Sequence, residues 1–410
     1  MPRPGTHVAI PPTLAELAHA AVSAAGETPL YLVGGAVRDI LRGEEAFPDV
    51  DLATEGDAAR VARTLAVTLG PSARVTVHAA FGTSTVHAPG VRVDIARTRA
   101  ERYPRPGSLP VVGPAGIDAD LRRRDFTVNA MACRLGGDGL LLDPTGGRTD
   151  LESGRIRVLH DGSFHDDPTR ILRAVRYASR LGFAIEPGTE RLLRRALTRG
   201  DLGLLSGARL RTDLVALLAE NGAADAVPLL RTLGVCHAIG EGIDCGREIP
   251  GILRRLEPLR ERFAPRAPAW RCRLVGLARG MDAGETGALA HRLAMNRRDA
   301  GILRASAPPP RPDFGTPPAA VADAFGSRPV EAALVSAAEG NEAAALYLEH
   351  LRRVRLDIDG RVLREELGLA ESPQVGAVLR ELMRRKLNGE LETRAAEIDA
   401  ARELVSEAGS

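Results

Sequence analysis

Apolar and polar positions follow two rhythms along this 410-residue chain, and the place where the rhythm changes divides it. Between residues 30 and 96 the runs are short and strand-like: LYLVGG (30–35), VDLAT (50–54), ARVTVH (73–78), STVHA (84–88) and VRVDIA (91–96). Runs of this kind send successive side chains to opposite faces of a pleated strand. Helical spacing occupies 13–25 (TLAELAHAAVSAA), with Thr13 as a candidate N-cap, and 57–69 (DAARVARTLAVTL). Turn signals stand at Gly34–Gly35 and Phe81–Gly82–Thr83. Together these predict a small mixed sheet with flanking helices over roughly residues 1–140.

Beyond Asp143 the character changes. From Asp167 the helical period dominates, at 167–182, 188–198, 207–220, 224–233, 251–262 and 270–279. A proline-rich break, APPPRPDFGTPP (307–318), reads as a linker. Helical segments resume at 329–338, 341–354, 361–368, 374–387 and 394–406, with Asn388–Gly389 as the stop between the last two. No short internal repeat is visible. The predicted plan is an α/β head followed by an all-α remainder.

Composition refines this only in places. At 44% hydrophobic and 26% charged residues, the chain reads as an ordinary soluble globular protein of two to four domains. The segment around Val8–Pro12 lacks the apolar core of a signal peptide, and no run of about 18 apolar residues is present to span a bilayer. Cys133, Cys236, Cys245 and Cys272 lie apart with no CxxC spacing. That argues against a zinc ribbon or a disulfide framework and for a reducing cytoplasm. Aromatics at 3% make a stacking platform an unpromising way to hold nucleic acid. Lys386 is the single lysine; the other basic residues are arginines, eight of them between Gly251 and Gly280 against two glutamates. Such a local excess fits phosphate contact, and fits a solvated helical face equally well.

The candidate chemistry begins at LVGGAVRDILRG (32–43), followed by PDVDLAT (48–54). A strand enters two glycines and a helix starts near Ala36. Gly34 and Gly35 let the backbone approach a ligand closely, the new helix turns free N–H groups toward it, and Arg38 adds charge. Asp49 and Asp51, two apart on a strand, share a face. A carboxylate pair beside a triphosphate cradle supplies the oxygen ligands that hard divalent cations take. Asp94, between Val93 and Ile95, is an awkward place for an unpaired charge and is a third candidate, as metal ligand or general base; the bland alternative is a salt bridge to Arg97 or Arg99. A dinucleotide-binding reading is disfavoured because GxGxxG is absent.

GGAVRD, Asp49-x-Asp51-x-x-Thr54 and RRDFTVNAMA (123–132) together resemble the class II tRNA nucleotidyltransferase and poly(A) polymerase family, which includes the CCA-adding enzymes. The resemblance continues through DPTGGRTDLESGRIRVL (143–159) and DDPTRILRAVRYASRLGF (166–183). It fades after SGARLRTDL (206–214) and partly returns over 373–401, so roughly half the chain is covered. It implies an α/β nucleotidyltransferase head at 1–140, a neck at 141–206 that recognises the base, a helical body at 207–306 and a helical tail at 307–410 that binds tRNA. It also implies two Mg²⁺ ions on Asp49 and Asp51. Arg124 and Asp125 would hold the incoming nucleotide and its ribose hydroxyls, with Asn129 bracing the turn.

The stretch Asp166-Asp167-Pro168-Thr169-Arg170 stands where the family has Glu-Asp-x-x-Arg; Asp166 is a departure that bears only on a supporting role. Asp167 and Arg170, three apart on one helix face, can read a Watson–Crick edge. Cytosine and adenine each offer an amino donor beside a ring-nitrogen acceptor, whereas uracil and guanine present the reverse order and leave both protein groups unpaired. Arg173, Arg176 and Arg180 climb the same helix in steps of about 4.5 Å or a little more. Arg173 and Arg176 are expected to secure the nucleotide. ERYPRPGSLPVVGPAGID (101–118) has no period and reads as a long loop, of the kind that CCA-adding members of the family keep.

Together with these residues, the resemblance implies template-independent addition of C and A to the tRNA 3′ end from CTP and ATP, with pyrophosphate released. The partners implied are the tRNA acceptor arm and 3′ end; no membrane and no particular protein partner is indicated. Within the class, the alternatives are an A-adding or CC-adding partial enzyme and a poly(A) polymerase. From other classes, an RNA-binding chaperone is opposed by the intact Asp49/Asp51 pair. A phosphohydrolase reading of HDGSFHDD (160–167) lacks further histidines, since His237, His291 and His350 stand alone, and leaves His160 and His165 as loop residues.

Overall fold

The computed structural model describes residues 7–79, 82–369 and 373–408, so Phe81 of the turn expected at 81–83 lies outside the described residues. The chain forms two compact units that divide between Arg209 and Leu210.

In the first unit, α1 (Pro12–Ala25) leads to β1 (Leu30–Val33), α2 (Gly35–Leu41), β2 (Asp49–Thr54) and α3 (Ala58–Leu69). Then come β3 (Arg74–His78), β4 (Thr83–Ala88), β5 (Val91–Arg97), β6 (Arg99–Arg102) and β7 (Val111–Pro114). α4 (Ile117–Arg122), β8 (Ala132–Arg134) and β9 (Leu141–Leu142) complete the head. Seven of these strands form one mixed sheet in the order β3-β4-β5-β2-β1-β8-β9, in which β2 and β5 run parallel and the other neighbours antiparallel. β2 shows why the sequence folds this way. Val50 and Leu52 turn into the core while Asp49 and Asp51 face out, the alternation that a half-buried strand requires. Helix α3 starts where the Asp57 carboxylate accepts from Ala59 N and Arg60 N, and it buries Val61, Ala62 and Leu65 against the sheet.

The stretch expected to be a structureless loop is instead a β-hairpin. β6 pairs with β7 in antiparallel register, Arg99 opposite Pro114 through Arg102 opposite Val111. Its strands are only four residues long and the connection between them is Pro/Gly-rich, so too little alternation was available to reveal them. The tip is anchored: Gly107 N donates to Asp166 O at 3.2 Å, and Arg209 Nη1 donates to Gly107 O at 2.5 Å.

After the head the unit continues through α5 (Gly147–Glu152), β10 (Arg155–Ile156), α6 (Ser163–Asp166), α7 (Thr169–Leu181), β11 (Ala184–Ile185) and α8 (Pro187–Thr198). α7 buries Ile171, Leu172, Ala174, Val175 and Ala178, leaving its arginines on the opposite side apart from the buried Arg170. α9 (Gly207–Ala219) follows and carries the boundary between the units.

The second unit is helical. Segments at Ile249–Phe263, Ala269–Leu277, Val330–Ala338, Gly360–Leu367, Pro373–Leu387 and Arg394–Ala408 fall where the period predicted them, while Ala283–Arg292, Arg297–Ser306 and Pro318–Gly326 had not stood out. The proline-rich stretch is strapped to its neighbours rather than free: Ser336 Oγ donates to Pro310 O, Asn341 Nδ2 to Pro312 O, and Arg311 pairs with Glu339. The last three helices surround a small core of Ile358, Leu363, Val378, Leu382 and Leu391. No helix among the described residues is long and apolar enough to cross a membrane.

Two readings from composition are corrected. Cys236 and Cys245 form a disulfide, because the short helix holding Cys236 ends at Ile239 and the chain doubles back, bringing Cα atoms nine residues apart to 6.5 Å. The arginine excess of 251–280 is also largely consumed inside the unit. Arg271 pairs with Glu331 and Asp299, Arg273 with Glu257, and Arg279 with Asp244, Glu248 and Glu339. Charges already neutralised at short range have little left to offer a phosphate.

Candidate active site

A cleft of about 620 Å³ opens in the first unit where the ends of β1, β2 and β5 meet the start of α7. Gly34, Gly35, Asp51, Asp94, Arg124, Asp125, Asn129, Asp167, Arg170 and Arg173 all reach its wall, though they span 140 positions of sequence. Asp49, Arg38 and Arg176 do not line it.

The carboxylates are brought together by sheet register. The parallel pairing of β2 with β5 sets Asp51 directly opposite Asp94, so both lie on the same face of neighbouring strands. Burial raises the Asp51 carboxyl above its usual range; Arg124 and Arg92 oppose that shift, while Asp94 and Asp49 reinforce it. Asp94 is partnered by neither Arg97 nor Arg99. It accepts from Thr85 Oγ1 at 2.5 Å and pairs with Arg92 at 2.7 Å. Asp49 is more exposed and lies 3.9 Å from the same arginine. Among the described residues no group of three or more His, Cys, Asp or Glu side chains is gathered as a ready metal site. The face still suits a hard divalent cation. Its donors are all carboxylate oxygens, and a carboxyl whose charge is disfavoured by burial and by two acidic neighbours gains most from a nearby positive ion.

At the glycine turn the structure shifts the emphasis. Gly34 has φ +66°, and a Cβ there would come within 2.7 Å of Arg124 Nη1. The absent side chain therefore makes room for a guanidinium. Arg38, expected to touch phosphate, is 2% exposed and spent internally: Nη1 donates to Asn129 Oδ1 at 2.5 Å, and Nε and Nη2 donate to Asp39. It braces the turn from beneath. Arg124 is the half-buried partner on the cleft wall, held by Asp120 at 3.1 Å, with its buried Nε unsatisfied by protein. A buried N–H without an acceptor is costly, and an anionic ligand in the cleft would relieve it.

Asp125 is buried at the cleft wall, and both of its oxygens accept hydrogen bonds. Its Oδ1 accepts from Phe126 N and Asn129 Nδ2, and its Oδ2 from Arg173 Nε and Nη2 at 2.9 and 2.5 Å. Despite burial, which acts upward, Arg173 and these hydrogen bonds pull its carboxyl down to about 2. With the folded value below the unfolded one, near 4, the ionised group stabilises the fold above that value, and the gain fades as pH falls toward 2. Asp125→Asn is therefore expected to cost about 2 kcal/mol at pH 7. Urea unfolding of both proteins at stepped pH should show the gap narrowing between pH 5 and 3.

The base-reading pair sits at the junction of α6 and α7. Asp167 is extended (φ −134°, ψ 91°) and precedes α7 rather than lying on its face, because Pro168 takes the N-cap position. Arg170 is 4% exposed; Nη1 donates to Ser163 Oγ at 2.5 Å and Nη2 to Arg123 O at 3.0 Å. Its planar fork is thus fixed while unused hydrogens remain. Arg176 lies 5.0 Å over the Tyr177 ring, which also has Arg38 and Arg173 near its centroid. His160 approaches Asp166 at 4.0 Å and His165 approaches Asp201 at 3.3 Å, separate pairs that form no shared metal cluster.

Several wall residues carried no sequence signal. Tyr103 donates to Glu101, burial raises its phenol to about 12, and Glu101 in turn holds Arg99 and Arg123. They reach the cleft through the β6–β7 hairpin, whose existence the sequence hid.

Comparisons with known proteins agree with this geometry. The poly A polymerase head domain model matches residues 30–157. An A-adding tRNA nucleotidyltransferase of Geobacter sulfurreducens is 44% identical over 216 residues, 52% of this chain and 24% of that protein. A CCA-adding enzyme of Geobacillus stearothermophilus is 30% identical over 398 residues, 90% and 91% of the two chains. Among solved structures, an apo form of a CCA-adding enzyme superposes with a TM-score of 0.82 at 28% identity, covering 97% of this chain and 96% of that one. Relative to the first curated relatives that it matches, the chain spans about a quarter to a half of their length.

Proposed function

The chain belongs to the tRNA nucleotidyltransferase family, and from that premise we propose that it adds C and A, without a nucleic-acid template, to the 3′ end of tRNA. The single observation that carries the reading is one cleft lined by the Asp51/Asp94 carboxylate face, the Asp167/Arg170 pair, Arg124 and Arg173. A carboxylate face alone fits many phosphoryl-transfer enzymes; a fixed Asp–Arg pair on the wall of the same cleft would give that chemistry a choice of nucleotide.

In this reading Gly34–Gly35 admits the triphosphate against Arg124. Asp125 and Arg173 meet the ribose, and Asp167 and Arg170 meet the Watson–Crick edge. Asp94, which keeps lone pairs beyond those used by Thr85 and Arg92, takes the proton of the primer 3′-hydroxyl. That oxygen bonds to the α-phosphorus, and the bond to the β-phosphate oxygen breaks to release pyrophosphate. Asp49 and Asp51 would hold two Mg²⁺ ions, which when bound acidify the hydroxyl and neutralise the triphosphate. The tRNA acceptor arm, CTP and ATP as partners, and a cytoplasmic setting, belong to the same proposal.

A second reading, addition of A alone, is favoured by the 44% identity to an A-adding relative over the head and neck. Transcripts ending at the discriminator base, at C and at CC, each offered labelled CTP or ATP, separate the two. C and A addition predicts CTP incorporation on the first two ends and ATP on the third. A-only addition predicts ATP on the CC end and nothing else, and a long A tail on arbitrary RNA would indicate a poly(A) polymerase.

A further inference from the structure

Asp167 makes an unequal use of its two oxygens. Oδ1 accepts three hydrogen bonds, from Thr169 N at 3.1 Å, Thr169 Oγ1 at 2.7 Å and Arg209 Nη2 at 2.8 Å. Oδ2 receives none among the described residues, and the side chain lies on the cleft wall. Two of the three donors are local and would follow from the turn alone. The third comes from 42 residues away, at the start of α9.

Arg209 is itself fixed. Its other terminal nitrogen donates to Gly107 O at 2.5 Å and Ser108 O at 3.3 Å, at the tip of the β6–β7 hairpin. Gly107 N in turn donates to Asp166 O, the residue before Asp167. These bonds form a closed circuit: hairpin tip, Asp166, Asp167, Arg209, and back to the tip. A free aspartate near an extended backbone rotates about two torsions and presents either oxygen. With Oδ1 held by a charge-assisted bond whose donor is anchored elsewhere, only Oδ2 can turn toward a ligand.

We infer that Arg209 is a specificity-positioning residue: it acts through Asp167, holding Oδ1 so that Oδ2 alone faces the incoming base and accepts its exocyclic amino group. The inference rests on the base-reading role proposed for Asp167. A carboxylate free to swing could meet a uracil or guanine edge through a bridging water, so the clamp's contribution lies in rejection as much as in binding. Arg209 makes no contact with substrate in this assignment, and its effect vanishes when Asp167 is absent.

The test is a two-by-two set, Arg209→Met and Asp167→Ala singly and together. The readout is the ratio of kcat/KM for CTP to that for UTP on a tRNA transcript. Arg209→Met alone should lower the ratio about tenfold, the scale of one misdirected hydrogen bond. In the Asp167→Ala background the same change should move it less than about twofold. Arg209→Lys, which keeps charge but not the fork, should fall between. Arg209→Gln serves if the methionine variant does not fold, as judged by its melting transition. A purely structural role predicts that CTP and UTP efficiencies fall in proportion with the ratio unchanged, and that result overturns the inference. So does an equal fall in ratio with Asp167 present or absent. If Asp167→Ala by itself leaves the ratio at the parent value, the base-reading role fails first, and the clamp falls with it.

Discussion

Asp51→Ala lowers nucleotide incorporation by about 10³-fold or more, while the protein melts at the same temperature or slightly higher. The two halves of this result have one cause. Asp51 faces away from the core on β2, so alanine leaves no cavity. Its carboxyl is raised by burial, with Asp94 and Asp49 adding to the shift. A carboxyl whose folded pKa lies above its unfolded value is a cost to the fold wherever it is ionised, so at neutral pH its removal is neutral or stabilising. On the proposed assignment, catalysis would lose the anchor for the ions that neutralise the triphosphate, a contribution of several kcal/mol, or about three decades in rate at about 1.4 kcal/mol per decade. Single-turnover incorporation of labelled ATP onto tRNA measures the loss. A thermal scan with and without Mg²⁺ measures the rest: added ion should raise the melting temperature of the parent more than that of the variant. Undiminished incorporation would remove the basis for the catalytic assignment.

Asp167→Asn changes the choice of nucleotide more than the rate of chemistry. The amide can present an N–H where the carboxylate presented an acceptor, so the exocyclic amino group of C or A meets a donor and the 4- or 6-carbonyl of U or G finds one. A buried donor left facing a donor costs about 1–3 kcal/mol, which corresponds to roughly 5- to 150-fold in efficiency. Efficiency with CTP and ATP should fall by that range, and UTP and GTP should gain relative to them. They would not become good substrates, because Arg170 stays locked by Ser163 and Arg123 and still offers donors to a ring N–H. Competition between labelled CTP and UTP on one primer gives the ratio directly. Equal losses for all four nucleotides would mean that the residue supports the turn without reading the base.

What could be read from sequence was local. The strands at 49–54, 74–78 and 91–97 carried their alternation within a few residues, those at 30–33 and 83–88 were short β-type runs, and the long helices of the second unit carried their period within a few turns. Motif residues were found because each motif is contiguous. What escaped depends on distant partners. Arg38 reads as a phosphate ligand until Asn129, 91 positions on, is seen to take its guanidinium. The arginines of 251–280 read as a basic surface until Glu331, Glu339 and Asp299 close on them. Arg209 has no meaning beside its sequence neighbours and acquires one only where the hairpin tip meets Asp167. The Cys236–Cys245 link was hidden because spacing alone cannot tell a helix that continues from one that reverses.

The one parallel junction in the large sheet, β2 against β5, has a consequence for how activity arises during folding. Its two strands are separated by a helix and two further strands, so Asp51 and Asp94 become neighbours only after that whole crossover has closed. Displacement by one residue would send one of the two carboxylates to the opposite side, into the hydrocarbon interior. If the two carboxylates act together as proposed, half-folded or misaligned chains would be inert, and an ensemble's specific activity would count its correctly closed members.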